Sequence, residues 1–116
     1  MSKNSITGQL SQYIEELDYC NLSQDTIDTA KKFFIDFLAV SIAGFHRGPL
    51  VKILYKEYEK ISSLPESTVI GNKKISAIDA ALVNAVSGHS LDLDDGHREA
   101  KGHPGVTLIP VVLVFA

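Results

Sequence analysis

The most apolar predicted helix, residues 24–43, restricts the possible folds of this 116-residue chain more than any other segment. Its last eleven residues contain one charge, Asp36, and the rest are apolar except Ser41. A helix that is apolar all round belongs at the centre of a bundle or at an interface. Ser23 and Asp25 suit its start, because a hydroxyl cap and an early acid satisfy free N–H groups, and Gly44 suits its end.

Three further stretches carry apolar residues at the three- and four-residue spacing of amphipathic helices. The first comprises Ile6, Leu10, Tyr13, Ile14 and Leu17. The next begins at Pro49, which suits a first helical turn, and has the stripe Leu50, Ile53, Leu54, Tyr58 and Ile61. The last follows a Ser76 cap and contains Ile78, Ala81, Leu82 and Ala85.

Between these helices, residues 67–70 are expected to form an extended link that ends in a turn at Gly71 and Asn72. A further helix is expected to begin near Thr107. The sequence therefore predicts an all-α fold in which four principal helices and a fifth pack as an irregular bundle. Residues 1–116 are expected to form one helical domain.

The chemistry is concentrated in residues 84–104, which hold three histidines and three aspartates. The helix after Ser76 is expected to reach about Leu91. The aspartates then fall at its C-terminal end, where the helix dipole makes each exposed acid unfavourable by roughly 0.3–1 kcal/mol. A cost of that kind suggests a function. If the helix continues to Gly96, His89, Asp92 and Asp95 share one face, while Leu91 and Leu93 point toward the core.

The residues after Gly96 are expected to form a loop, because Gly96, Gly102, Pro104 and Gly105 interrupt any helix. Pro104 favours an extended conformation for His103, which would lie opposite the carboxylates. Asp94 or Asp95 is expected either to cap a following turn or to hold a histidine through a carboxylate–imidazole hydrogen bond.

Residues 80–110 read AALVNAVSGHSLDLDDGHREAKGHPGVTLIP and resemble the signature of the MmgE/PrpD family. Members of that family include 2-methylcitrate dehydratase, cis-aconitate decarboxylase and iminodisuccinate epimerase. The matching residues are Ala80, Ala81, Asn84, His89, Asp92, Asp94, Asp95, His103, Pro104 and Pro110. Residues 29–44 and 67–81 are also similar to the family's N-terminal pattern.

The resemblance implies a lyase, such as a hydro-lyase, or an isomerase that moves a proton next to a carboxylate of a small di- or tricarboxylate. It also implies metal-independent chemistry without a cofactor, and a homodimer. By resemblance, Asp92 and His103 correspond to catalytic positions. The candidate substrate-binding residues are His89, Asp95, His97, Arg98 and Lys101, of which Arg98 or Lys101 would hold a substrate carboxylate.

Two departures from the family pattern limit this transfer. Gly96 stands where the decarboxylase branch commonly has threonine, which argues against cis-aconitate decarboxylase. Family members are several times longer, and their active sites draw a second histidine, lysines and a tyrosine from later in the chain. The chain is therefore expected to be an N-terminal fragment with little or no turnover alone.

Two other classes of protein remain open. A metal hydrolase would use His89, Asp92, Asp95 and His103 as ligands, since imidazole and carboxylate suit Zn, Mn or Fe. A helical interaction module would instead bury the apolar residues 24–43 and 106–116 against a second copy of the chain.

Charge and composition exclude several other partners. The net charge is −3 and the eleven Lys and Arg residues are scattered, which argues against nucleic-acid binding.

No apolar run approaches the length of about 20 residues that a membrane span needs. The single cysteine, Cys20, cannot form an internal disulfide and fits a reducing compartment. A cytoplasmic location is expected.

Overall fold

The computed structural model describes residues 5–116. In that range the helices are α1 (Ile6–Glu16), α2 (Gln24–Arg47), α3 (Pro49–Ile61), α4 (Ala77–His89) and α5 (Pro104–Phe115), with a short 3₁₀ turn at Tyr19–Asn21. The strands β1 (Ser67–Thr68) and β2 (Lys74–Ile75) lie between α3 and α4. The predicted all-α class is therefore confirmed. The chain divides into two compact units at Ala30 and Lys31, within α2.

In the first unit, side-chain oxygens set the start of each helical segment. Ser5 Oγ accepts a hydrogen bond from the Gly8 N–H at 3.0 Å and begins α1. Asp18 Oδ1 accepts from the Cys20 N–H at 2.8 Å in the 3₁₀ turn. Ser23 Oγ accepts from the Thr26 N–H at 3.1 Å, which confirms the predicted start of α2. These bonds satisfy N–H groups that have no partner inside a helix.

The core of the second unit is formed by residues from α2, α3, α4 and the hairpin. Its buried members are Phe45, Val51, Tyr55, Val69, Ile75, Ala80 and Val83. Phe45 and Tyr55 meet edge to face with ring centroids 5.4 Å apart, an arrangement that aromatic pairs favour. This core fixes α4, whose C-terminal end carries the candidate site.

A hairpin replaces the extended link that the sequence predicted for residues 67–70. Ser67 pairs with Ile75 and Thr68 with Lys74, and Gly71 in the connecting turn has φ 79°. Asn84, which is 1% exposed, joins this hairpin to α4. Its Oδ1 accepts from the Ile70 N–H at 2.8 Å and its Nδ2 donates to the Thr68 carbonyl at 3.0 Å. Asn84 thus has a structural role in this chain.

Helix α2 differs from its prediction in length and in burial. It continues to Arg47, so Gly44 lies inside the helix instead of ending it. A Cβ at Gly44 would overlap the Ser87 carbonyl oxygen, so the glycine permits close packing of α2 against α4. Only one side of this apolar helix is buried, because Phe33 is 49% exposed and Ile35 is 65% exposed. The prediction of a place at the centre of a bundle is therefore wrong for the described residues, while the alternative of an interface stays a prediction.

Helix α3 begins at Pro49 as predicted but buries a different face. Val51 is fully buried and Tyr55 is 7% exposed, with Leu54 and Tyr58 packed beside them. Three residues of the predicted stripe, Leu50, Ile53 and Ile61, are exposed. Burial raises the pKa of Tyr55 above its ordinary value. The hydrogen bond that its hydroxyl donates to Glu59 at 3.1 Å raises this pKa further.

Within residues 5–116, no individual helix combines the length and the hydrophobicity needed to cross a bilayer. Helices α2 and α3 meet those criteria only when taken together, and a bend of 89° separates them.

Candidate active site

The C-terminal end of α4 positions the first part of the site. Ser76 caps the helix as predicted, since its Oγ accepts from the Asp79 N–H at 3.4 Å. The helix ends at His89, two residues before the predicted end at about Leu91, and the conditional extension to Gly96 is wrong. Asp92 has φ 53°, in the left-handed region, and its N–H bonds to the His89 carbonyl at 3.0 Å. A left-handed residue just after a helix turns the chain away from the helix axis.

This early end changes where the following side chains lie. Leu93 is 65% exposed, contrary to the prediction that it points toward the core. Asp92 is exposed and does not extend a helical face with His89 and Asp95. The helix therefore stops before the unfavourably placed acids, and the loop conformation determines their positions.

Helix α5 begins at Pro104, three residues before the predicted Thr107. Proline is favoured at the first helical position because its φ is preset and it lacks an N–H. The Asp95 carboxylate accepts the Gly105 N–H at 3.0 and 3.1 Å and so caps the helix across the loop. His103 precedes the helix with φ −115° and ψ 85°, which is non-helical but outside the extended conformation that the sequence predicted.

Four side chains, His89, Asp92, Asp94 and His103, form an inner cluster. His89 Nδ1 lies 3.0 Å from Asp94 Oδ1, and His103 Nδ1 lies 3.0 Å from Asp94 Oδ2. The two imidazoles meet edge to face, with ring centroids 4.8 Å apart. The Asp94 side chain is 2% exposed, whereas those of His89 and His103 are 52% and 37% exposed. A buried carboxylate thus joins two partly exposed imidazoles.

The two contacts of Asp94 differ in alignment. The His89 contact has hydrogen-bond geometry. The Nδ1 atom of His103 is buried, and its approach to Asp94 lacks the alignment of a hydrogen bond. The prediction that Asp94 or Asp95 either caps a turn or holds a histidine is confirmed, because Asp94 holds His89 and Asp95 caps α5.

Residues 97–102 form an outer turn that carries the remaining predicted site residues. The His97 N–H donates to the Gly102 carbonyl at 2.8 Å, and His97 Nδ1 accepts from the Ala100 N–H at 3.0 Å. Arg98 and Lys101 are exposed, and Lys101 has φ 49°. Their role as cations for a substrate carboxylate remains a prediction.

A cavity of about 440 Å³ reaches the inner cluster at His89. Most of its lining is apolar and comes from the first turn of α3, the last turns of α4 and the first turn of α5, including Leu50, Val86 and Val106. Ligand sites commonly combine an apolar wall with a few convergent polar groups. The sequence did not predict this cavity, because it depends on how three helix ends meet.

The inner cluster also has a composition that a metal ion can use. One ligand atom from each of His89, Asp92, Asp94 and His103 lies within 4.8 Å of the others. The metal alternative from sequence named Asp95 instead of Asp94, but the Asp95 carboxylate is bonded to Gly105. Two imidazoles and two carboxylates suit a borderline divalent cation such as Zn²⁺.

Asp94 is the one member of the inner cluster that was left out of the predicted site residues. The sequence shows three aspartates within four residues, and nothing in their spacing distinguishes the buried one. Its position follows from the early end of α4 and the left-handed Asp92. The indication of this position in the sequence is the expectation that Asp94 or Asp95 holds a histidine.

Comparison with known proteins gives one family and several relatives. A family model described as the MmgE/PrpD N-terminal domain matches residues 8–116. The cis-aconitate decarboxylases of Mus musculus and Homo sapiens are 32% and 33% identical to the chain over 119 and 121 residues. The cis-aconitate decarboxylase-like protein oryM of Aspergillus oryzae is 25% identical over 115 residues.

These alignments include 100%, 100% and 98% of the chain but 24% of each relative. The chain therefore spans about a quarter of the length of the curated relatives it matches. No solved structure gives a significant match.

Proposed function

Because the chain belongs to the MmgE/PrpD family, we propose that it supplies part of the active site of a lyase that acts on a small di- or tricarboxylate. The observation that carries this proposal is the buried Asp94 carboxylate between the imidazoles of His89 and His103. The relatives named cis-aconitate decarboxylase support the same class of reaction. In the proposal, Asp92 and His103 exchange a proton with the carbon next to a substrate carboxylate.

Both candidate lyase reactions need that proton exchange. In a dehydration, a base removes the proton from carbon, the electrons of the C–H bond form the double bond, and the hydroxyl group leaves with a proton as water. In a decarboxylation, the C–C bond to the carboxylate breaks, carbon dioxide leaves, and the electron pair stays on the substrate carbon, which takes a proton from an acid. An imidazole can serve either role near neutral pH.

The remaining predicted residues have places in this proposal. His89 lies at the cavity wall, where it can contact a bound ligand. Arg98 and Lys101 in the outer turn, with His97 beside them, offer positive charge or hydrogen-bond donors for substrate carboxylates. Asp95 contributes by holding the start of α5, next to His103.

The test requires the longer reading frame, because the chain covers a quarter of its relatives. The full protein would be assayed for carbon dioxide release from cis-aconitate and, separately, for dehydration of 2-methylcitrate. We expect His103→Gln and Asp92→Asn to lower kcat by about 10²–10⁴-fold, the usual contribution of general acid–base groups. His46→Gln, which alters an exposed histidine on α2, is the matched control. Wild-type kcat in both site variants would contradict the proposal.

A second candidate function is metal-dependent hydrolysis, which the four-ligand geometry of the inner cluster favours. Titration of the chain with Zn²⁺, followed by dialysis and elemental analysis, tests it. One retained metal per chain, lost in His103→Gln, together with loss of turnover in a chelator, would support this candidate. Full turnover after complete metal removal would exclude it.

A homodimer or helical interaction module is supported by the exposed apolar residues of α5. Leu108, Val112 and Phe115 are 62%, 66% and 77% exposed. Apolar groups that lie together on a surface mark contacts with another part of a protein or with a partner. Light scattering of the full protein tests this proposal, and a monodisperse monomer at high concentration would contradict it.

A further inference from the structure

We propose that Asp94 is a positioning residue that holds both His89 and His103 in the tautomer protonated at Nδ1. The Nε2 atom of each ring is then the unprotonated, basic nitrogen. The catalytic consequence of this inference rests on the proposed lyase function, but the tautomer itself does not. Asp94 is argued to act through the two histidines and not by touching a substrate.

The first step is the burial of the Asp94 carboxylate. At 2% exposure it has little access to solvent, and a buried carboxylate is costly unless hydrogen-bond donors surround it. Within residues 5–116, the side-chain groups in ion-pair range of this carboxylate are the Nδ1 atoms of His89 and His103. Those nitrogens are therefore the side-chain donors available to the Asp94 carboxylate.

The second step is electrostatic. At 3.0 Å, a protonated Nδ1 of His89 donates a hydrogen bond to the facing Asp94 oxygen, whereas an unprotonated Nδ1 would place its lone pair against that oxygen. The partner of one ring nitrogen normally determines the tautomer of a histidine. For His103, the buried Nδ1 lies 3.0 Å from Asp94 Oδ2 without the alignment of a hydrogen bond, so the assignment for this ring rests on that distance.

The third step concerns the other edge of each ring. Because Nδ1 of His103 is buried, the 37% exposure of this side chain belongs to the rest of the ring, which includes the Nε2 edge. His89 is 52% exposed and lines the cavity. In the proposal, a ligand that approaches the cluster from the cavity meets the Nε2 edges of the two rings.

The outer turn provides an internal control within the same chain. His97 Nδ1 accepts a hydrogen bond from the Ala100 N–H at 3.0 Å, so this nitrogen is unprotonated and the proton resides on Nε2. The structure therefore assigns opposite tautomers to His97 and to the pair in the inner cluster.

Nitrogen NMR of the 116-residue chain, ¹⁵N-labelled at histidine, measures these tautomers directly. Long-range ¹H–¹⁵N correlations would be recorded at about pH 8.5, where an ordinary imidazole is neutral. We expect the Nδ1–H pattern for His89 and His103 and the Nε2–H pattern for His97. An Nε2–H pattern for both His89 and His103 in the unmodified chain would overturn the inference without any variant.

Asp94→Asn then tests the cause. The amide of asparagine has one NH2 donor and one carbonyl acceptor, so the inner histidine that meets the NH2 is expected to change to the Nε2–H pattern while His97 keeps its own. Asp95→Asn, which alters the adjacent carboxylate, should leave all three tautomers unchanged. Unchanged Nδ1–H patterns for His89 and His103 in Asp94→Asn would overturn the proposed role of Asp94.

Kinetics of the full protein separate this inference from the proposed function. Asp94→Asn is expected to lower kcat by about 10²–10⁴-fold with little change in KM, because a wrong tautomer removes the base without removing a ligand contact. Glu99→Gln, an exposed acid in the outer turn, is the activity control. Correct tautomers in a protein inactive on every carboxylate tested would refute the function alone. Wrong tautomers in an active protein would refute the inference alone.

Discussion

The inner cluster and the outer turn contain similar types of residue but differ in burial and in hydrogen bonding. Each contains histidine and acidic residues, and each contains one non-glycine residue in the left-handed region, Asp92 at φ 53° and Lys101 at φ 49°. In the inner cluster a carboxylate that is 2% exposed joins two imidazoles. In the outer turn an exposed imidazole accepts a backbone N–H. The density of charged residues therefore does not identify a site, whereas the burial of one carboxylate does.

The largest expected difference between the two regions concerns their dependence on helix packing. Gly44→Ala would place a Cβ against the Ser87 carbonyl, so α4 must move away from α2. Because the obstacle is backbone, we expect a loss of about 3 kcal/mol in the free energy of unfolding, at the upper end of usual overpacking costs. Urea unfolding measures it, and NMR should show His89 and His103 signals displaced.

Gly102→Ala is the matched control in the outer turn. The nearest atom to its new Cβ would be the Ala100 carbonyl oxygen at 3.8 Å, an ordinary contact. We expect a change within about 0.5 kcal/mol, as for surface substitutions in general. Equal losses in the two variants would contradict the view that only the inner cluster depends on packing.

An intermediate effect is expected when the α5 cap is removed. Asp95→Ala deletes both contacts with the Gly105 N–H and should lower the free energy of unfolding by about 1 kcal/mol. Glu99→Ala removes an exposed acid of the outer turn and should change it by less than about 0.5 kcal/mol. Thermal unfolding of both variants would compare them. A Glu99→Ala loss as large as that of Asp95→Ala would remove this distinction between the regions.

The smallest effects on stability are expected at the two left-handed residues. Asp92→Gly and Lys101→Gly relieve the strain of a left-handed backbone, which stabilises the folded state, but glycine also raises the entropy of the unfolded chain, which opposes this gain. The relief of strain is expected to be slightly larger, so each variant should raise the free energy of unfolding by about 0.5 kcal/mol. In the full protein the two should separate. Asp92→Gly is expected to lower kcat, and Lys101→Gly to raise KM. Similar kinetics for the two variants would contradict their proposed division of roles.

Sequence patterns predicted helices well and helix ends poorly. Ser23, Pro49 and Ser76 marked starts correctly, because capping and proline geometry are local properties. The end of α2 was wrong because Gly44 serves close packing with α4, which is a long-range property. The buried face of α3 was predicted only in part, because two adjacent stripes are apolar. Leu54 and Tyr58 of the predicted stripe pack against the core, but its most buried residues are Val51 and Tyr55.

The candidate site was predictable in composition but not in arrangement. The family signature led to His89, Asp92 and His103, which the structure brings together. The signature did not show that Asp94 lies among these residues, because the position of Asp94 depends on the left-handed conformation of Asp92. The hairpin was missed because strands of two residues leave almost no periodic pattern.

The two hydrogen bonds of Asn84 have a consequence for how this structure opens. They attach the β1 end of the hairpin to the middle of α4, so the hairpin cannot separate from the helix without exposing a buried amide. Local opening in proteins follows such cooperative units. The amide hydrogen of Ile70 should therefore exchange with deuterium at a rate close to those of the α4 backbone. The small sheet would then act as an outer layer of α4, opening and closing together with the helix that carries His89.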